Sequence, residues 1–130
     1  MAYEIPGTTL TLEAAGDLSA AQYKFVKINT DGQAEVCSAV TDQPIGILQD
    51  KPAAKGRVAQ IMVDGISKLS SDAALTLGQK VGTSVDGQGA AYAHGTDTTK
   101  YIVGTVIKAS GAANGLATVL FSCKAPNRGA

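Results

Sequence analysis

Side-chain catalysis needs groups that ionise or attack near neutral pH, and this chain offers few. His94 is the single histidine, and Cys37 and Cys123 are the two thiols, among 130 residues. A nucleophilic arrangement would have to pair His94 with Cys37, or orient it with Asp97. Yet His94 lies in Ala93-His94-Gly95-Thr96-Asp97, a run of turn formers, and reads as an exposed loop histidine. Zinc takes three or four soft or imidazole ligands, and two Cys and one His without ligand spacing do not supply them. Neither cysteine belongs to a Cys-x-x-Cys pattern, so both read as small buried hydrophobes rather than a disulfide.

Asp31, Asp42, Asp86 and Asp97 raise the question of calcium. Calcium loops gather their carboxylates within about a dozen residues, and each of these aspartates instead adjoins a turn residue that explains it. Gly87-Gln88-Gly89 is followed by no helix that could present its N-terminus to a phosphate. Tyr3, Tyr23, Tyr92 and Tyr101 sit in no basic or polar cluster and read as core-edge residues. No catalytic residue, cofactor or metal is expected, and the chain does not read as an enzyme.

The elements around these residues repeat. Asp31-Gly32-Gln33 matches Asp86-Gly87-Gln88, and Thr41-Asp42 matches Thr96-Asp97, at a spacing of 55. After a three-residue insertion Ile45-Gly46-Ile47-Leu48 matches Val103-Gly104-Thr105-Val106, and the loop ending Lys55-Gly56 matches the one ending Asn114-Gly115. The shared residues are turn and strand formers, so the duplication is architectural. Gly46 and Gly104, each mid-strand between apolar neighbours, predict a close strand crossing in each copy.

Short apolar runs bounded by turn signals, with almost no helix, predict an all-β fold, a small β-barrel or sandwich. The expected organisation is an extended N-terminal arm over residues 1–15, a β-barrel domain over 16–123 with repeat units of about 25–64 and 80–123, and a flexible tail over 124–130. Thr8-Thr9-Leu10-Thr11-Leu12 alternates with period two, so the arm adds an edge strand or reaches a neighbour. Residues 71–78 can form a two-turn helix capped by Ser71 or Asp72 and Gly78, and a turn followed by a short strand competes equally. Residues 116–123 carry apolar groups on both faces, which implies burial in a core or cover by a partner subunit.

A chain of this length is one domain and buries roughly 65–70% of its unfolded surface. Lys plus Arg and Asp plus Glu both total 11, without blocks, which argues against nucleic acid and anionic membranes as partners. Charged residues are only 17%, below the roughly 25% usual for soluble domains, which favours assembly over a free monomer. The N-terminus shows no signal-peptide pattern and no run reaches the roughly 18 apolar residues of a membrane span, so the protein is expected to be made and kept in the cytosol unless carried out inside something larger.

Pro44-Ile45-Gly46-Ile47-Leu48-Gln49, the Ala-rich loop closing at Gly56, Val58 to Val63 with Asp64-Gly65, Gly78-Gln79-Lys80-Val81 and Val103-Gly104-Thr105-Val106 together resemble the bacteriophage capsid decoration, or cement, proteins. The resemblance runs from about Tyr23 to Ser122. It implies a compact β-barrel or β-tulip-like core, an arm that grips the major capsid protein or a neighbouring subunit, a homo-oligomer (a trimer, or a dimer as in other relatives), a place on the capsid exterior of the virion, and no catalysis. Tyr3, Ile5, Pro6, Leu10 and Leu12 are the candidate capsid-binding residues. The alternative is a carbohydrate- or surface-binding β-module that uses the loop from Asp86 to Thr99.

Overall fold

The computed structural model describes residues 3–93, 95–124 and 127–128. Strands form where β-branched and apolar residues alternate, and they stop at Asp-Gly, Asn-Gly or Lys-Gly turns. The first sheet is built from β2 (Thr9–Glu13), β3 (Phe25–Ile28), β4 (Ala34–Val36), β5 (Gly46–Leu48) and β6 (Val58–Met62), in the order β2-β6-β5-β3-β4. The second uses β1 (Ile5–Pro6), β7 (Asp64–Ser70), β8 (Lys80–Thr83), β9 (Gly89–Ala91), β11 (Gly104–Lys108) and β12 (Leu116–Ser122), in the order β1-β7-β12-β11-β8-β9. A small ribbon pairs β10 (Tyr101–Ile102) with β13 (Asn127–Arg128). Every strand pair is antiparallel, and the fold is all-β.

Without β1, the two sheets have the same strand order, with β2, β6, β5, β3 and β4 standing where β7, β12, β11, β8 and β9 stand. The registers agree residue by residue. Val26 faces Gly46 as Val81 faces Gly104, and Leu48 faces Ile61 as Val106 faces Val119. Turn hydrogen bonds match as well: Asn29 N–H donates to Gln33 O and Ser84 N–H to Gln88 O, at 3.0 and 2.8 Å. The correspondence includes β2 and β7, since Leu12 lies opposite Ala59 as Leu69 lies opposite Ala117.

Each sheet curls until its edges nearly meet. Ala14, just past β2, forms a single parallel bridge to Ala34 at the start of β4, and Ser71, at the end of the β7 run, forms the same bridge to Gly89. One bridge is not a ladder, so neither sheet closes as a full barrel, and the two curled sheets pack together in a sandwich-like arrangement. Among the described residues there is no helix. Residues 71–78 take the turn alternative because tertiary bonds outcompete a two-turn helix. Ser71 Oγ lies 2.9 Å from Ser110 Oγ, and Leu75 N–H donates to that same Ser110 Oγ at 3.1 Å.

Two cores result. The smaller lies inside the first curl, where Val26, Ala34, Leu48, Ala59 and Ile61 are covered by Ala14, Leu18 and Ala21. The larger joins the inner face of the second sheet, Leu69, Val81, Val106, Ala117 and Val119, to Phe25, Cys37, Ile47 and Met62 from the outer face of the first. Gly46 and Gly104 sit at equivalent close approaches. A Cβ on Gly46 would meet Met62 O at 2.5 Å, and one on Gly104 would meet Leu120 O at 2.9 Å.

Candidate docking surface

Period-two alternation gives every strand an inner and an outer face, so the outer residues of neighbouring strands form rows across each sheet. In the first sheet the row runs Cys37, Phe25, Ile47, Met62, and it is buried in the larger core. The equivalent row of the second sheet runs Tyr92, Lys80, Thr105, Leu120, Ile66, and it is then extended by Ile5 of β1. That second row faces outward. Leu120 is 53% exposed and Leu116, on the same face, is 42% exposed. Lys80 Nζ donates to Thr105 Oγ1 at 2.8 Å, so the polar half of the row is internally bonded.

The five arm residues are not brought together. Ile5 and Pro6 pair with Ile66 and Gly65 at the edge of the second sheet, and Tyr3 N–H donates to Thr118 Oγ1 at 3.0 Å. Ile5 is 56% exposed and Tyr3 39%. Leu10 and Leu12 lie on the first sheet instead, opposite Ile61 and Ala59. Leu12 is half-buried against the smaller core and Leu10 is exposed. Leu116 and Leu120 were absent from the candidate set, although the two apolar faces of residues 116–123 were the signal for them.

Charge is used locally. Asp64 bridges Lys124 at 2.8 Å and accepts from Thr8 N–H at 2.6 Å, which fixes the crossover from β1 to β2; the Lys124 ammonium and then the Thr8 N–H hold its carboxyl below the usual range. Burial alone would raise Asp42. The N–H groups of Ser38 and Ala39 and the Lys27 ammonium at 2.9 Å outweigh burial and leave its carboxyl lowered. Asp97 Oδ2 accepts from Ala93 N–H at 2.8 Å, the counterpart of the Ser38 bond. Asp42 and Asp97 are therefore committed to turns, as their neighbours predicted.

The nucleophile readings find no support in the described residues. Burial pushes the thiols of Cys37 and Cys123 up to about 12, so both are protonated at neutral pH and neither is disulfide-bonded. His94 lies outside the described residues. A depression of about 550 Å³ opens on the first unit, edged by Asp17, Asn29, Asp31, Gln33, Glu35 and Lys55. Asp17 is held down by the Ser19 hydroxyl and then its N–H, and among the described residues no three His, Cys, Asp or Glu side chains gather as metal ligands do. In the loop from Asp86 to Thr99, Gly87, Gln88 and Gly89 are buried, whereas Asp86, Ala93, Gly95, Thr96, Thr98 and Thr99 are exposed.

No family model matches the chain, and no curated protein matches it. Among solved structures it is similar to the crystal structure of the head fiber gp8.5 N base in bacteriophage phi29. The TM-score is 0.64 at 16% identity, over 89% of this chain and 94% of that one. At this identity the likeness is one of fold. It spans nearly the whole of both chains, so both curled sheets are included.

Proposed function

We propose that this chain is a structural virion protein that binds the outer surface of a tailed-phage head, contacts the major capsid protein and stabilises the expanded shell. The observation that carries the reading is the near full-length likeness to a head fiber base. The surface supports it: the described residues present an exposed apolar face and turn-bound carboxylates, which suit binding rather than catalysis. The arm is the natural point of attachment. β1 has no counterpart in the first sheet, so Tyr3, Ile5 and Pro6 stand outside the duplicated framework and two of them leave large apolar groups in solvent. Leu12 serves the fold.

A protein that binds the assembled shell and not its separated subunits stabilises that shell by mass action. Removing residues 2–6, which spares β2, tests the attachment. Occupancy on purified heads is expected to fall by more than about tenfold, a loss of about 1.4 kcal/mol or more per site. Undiminished occupancy would remove the arm from the mechanism, and a full-length protein that never co-sediments with heads would end the reading.

A further inference from the structure

We propose that the outward row of the second sheet docks on the open rim of the first unit of another copy, so that chains associate head to tail. The pattern for this contact exists inside the molecule. The outer row of the first sheet already docks on the rim of the second unit. There, Phe25 N–H donates to Gly87 O at 2.6 Å, Tyr23 O accepts from Ser70 N–H at 2.8 Å, and Gln49 Nε2 donates to Ser67 Oγ at 3.0 Å. One unit presents its row, and its sister unit receives it.

The same two surfaces recur unoccupied at the opposite ends of the chain. On the receiving side, Ser67 and Thr83 of the second unit are 0% and 1% exposed. Their counterparts in the first unit are Leu10 and Ile28, which are apolar and yet 38% and 51% exposed. A Cβ built on Gly87 would meet Phe25 O at 3.0 Å, whereas one on the equivalent Gly32 meets nothing within 4 Å. On the presenting side, Leu120 replaces the buried Met62 and is exposed. A fold that covers this row and this rim in one pairing leaves both open in the other.

The charges select the occupant. Lys80 stands where the buried row has Phe25, and Glu13 stands where the occupied rim has Ser70, with Asp31 beside Gly32. An exposed cation on the presenting end thus meets exposed carboxylates on the receiving end of a chain whose net charge is zero. The two surfaces differ, so the contact is heterologous and each copy can engage two others, in a ring if the rotation closes and in an open chain if it does not. Tyr3 and Ile5 lie past the end of the row that has a counterpart, and they remain for the shell.

The test is sedimentation velocity on the full chain over a concentration series, with Leu120→Glu, Ile28→Glu and an equimolar mixture of the two. Thermal unfolding confirms that both exposed-site variants fold. Wild type should form concentration-dependent oligomers, each variant alone should lose them, and the mixture should recover a one-to-one pair through its single intact contact. A wild type that stays monomeric, an Ile28→Glu variant that associates like wild type, or a mixture that stays monomeric would overturn the inference. A Leu120→Glu variant that loses head occupancy while wild type is monomeric in solution would overturn it too, assigning the row to the shell and leaving the head-binding reading intact.

Discussion

The two curled sheets share strand order, register and turn geometry, and they differ in the fate of one row of side chains. Phe25, Ile47 and Met62 are buried, whereas their equivalents Lys80, Thr105 and Leu120 face outward. Backbone hydrogen bonding therefore does not decide which face becomes core. Side-chain chemistry in a single row does, because burying an apolar residue of this size gains roughly 1.5–3 kcal/mol and burying an unpaired ammonium costs more than that.

Exchanging residues across the two rows is the most direct way to break the comparison. Phe25→Lys should abolish cooperative folding, because it loses a buried aromatic, about 3–5 kcal/mol as Phe→Ala, and forces a charge into the core; that is a large part of the ~5–15 kcal/mol a domain possesses. Lys80→Phe, at the equivalent exposed place, should change unfolding free energy by no more than about 0.5 kcal/mol. Denaturant titration of both variants separates the rows, and equal effects would mean that the two rows do not differ in burial.

The glycine pair sharpens the comparison at smaller amplitude. Gly46→Ala and Gly104→Ala should each destabilise by about 1–3 kcal/mol through steric overlap, with Gly46 the more sensitive because Met62 O lies nearer its added methyl than Leu120 O does to that of Gly104. A tolerated Gly46→Ala would show that β5 and β6 can move apart.

Smallest is the turn aspartate. Asp42→Asn should cost about 1–2 kcal/mol at neutral pH, and Asp97→Asn less, since Asp42 Oδ2 takes two N–H groups and a short ion pair while Asp97 has one N–H bond and a 3.6 Å contact to Lys100. The folded pKa of Asp42 is lowered, so its contribution is fully present above the unfolded value of 3.8 and is lost as pH falls through the folded one. The difference between wild type and Asp42→Asn should accordingly persist down to about pH 4 and shrink in stronger acid. A gap unchanged at low pH would separate the effect from ionisation.

Much of this framework could be read from the residues. The spacing of 55, and the three-residue insertion after it, reproduce the offsets between Val26 and Val81 and between Gly46 and Gly104, because turns that need Asp-Gly and crossings that need glycine tolerate few substitutes. The kinship of β2 with β7 was not legible. β2 is an edge strand while β7 lies between β1 and β12, so different neighbours select different side chains, and Leu12 with Leu69 is the one apolar residue they keep in common. The arm's alternation and the family resemblance together present it as one capsid-binding strip. Its split between two sheets depends on the crossover fixed by Asp64, far away in sequence. The exposed row was half legible: Lys80 and Thr105 announce solvent, but Leu116 and Leu120 do not say what covers them.

The buried row also has a consequence for synthesis. The row is complete once Met62 has been added, about 60 residues before Ser122 ends β12 and completes the sheet the row packs against. At roughly 5–20 residues per second, the nascent first unit exposes that adhesive strip for about 3–12 s. Translation tempo and chaperone supply, rather than final stability, should then govern how much of this protein reaches its native state.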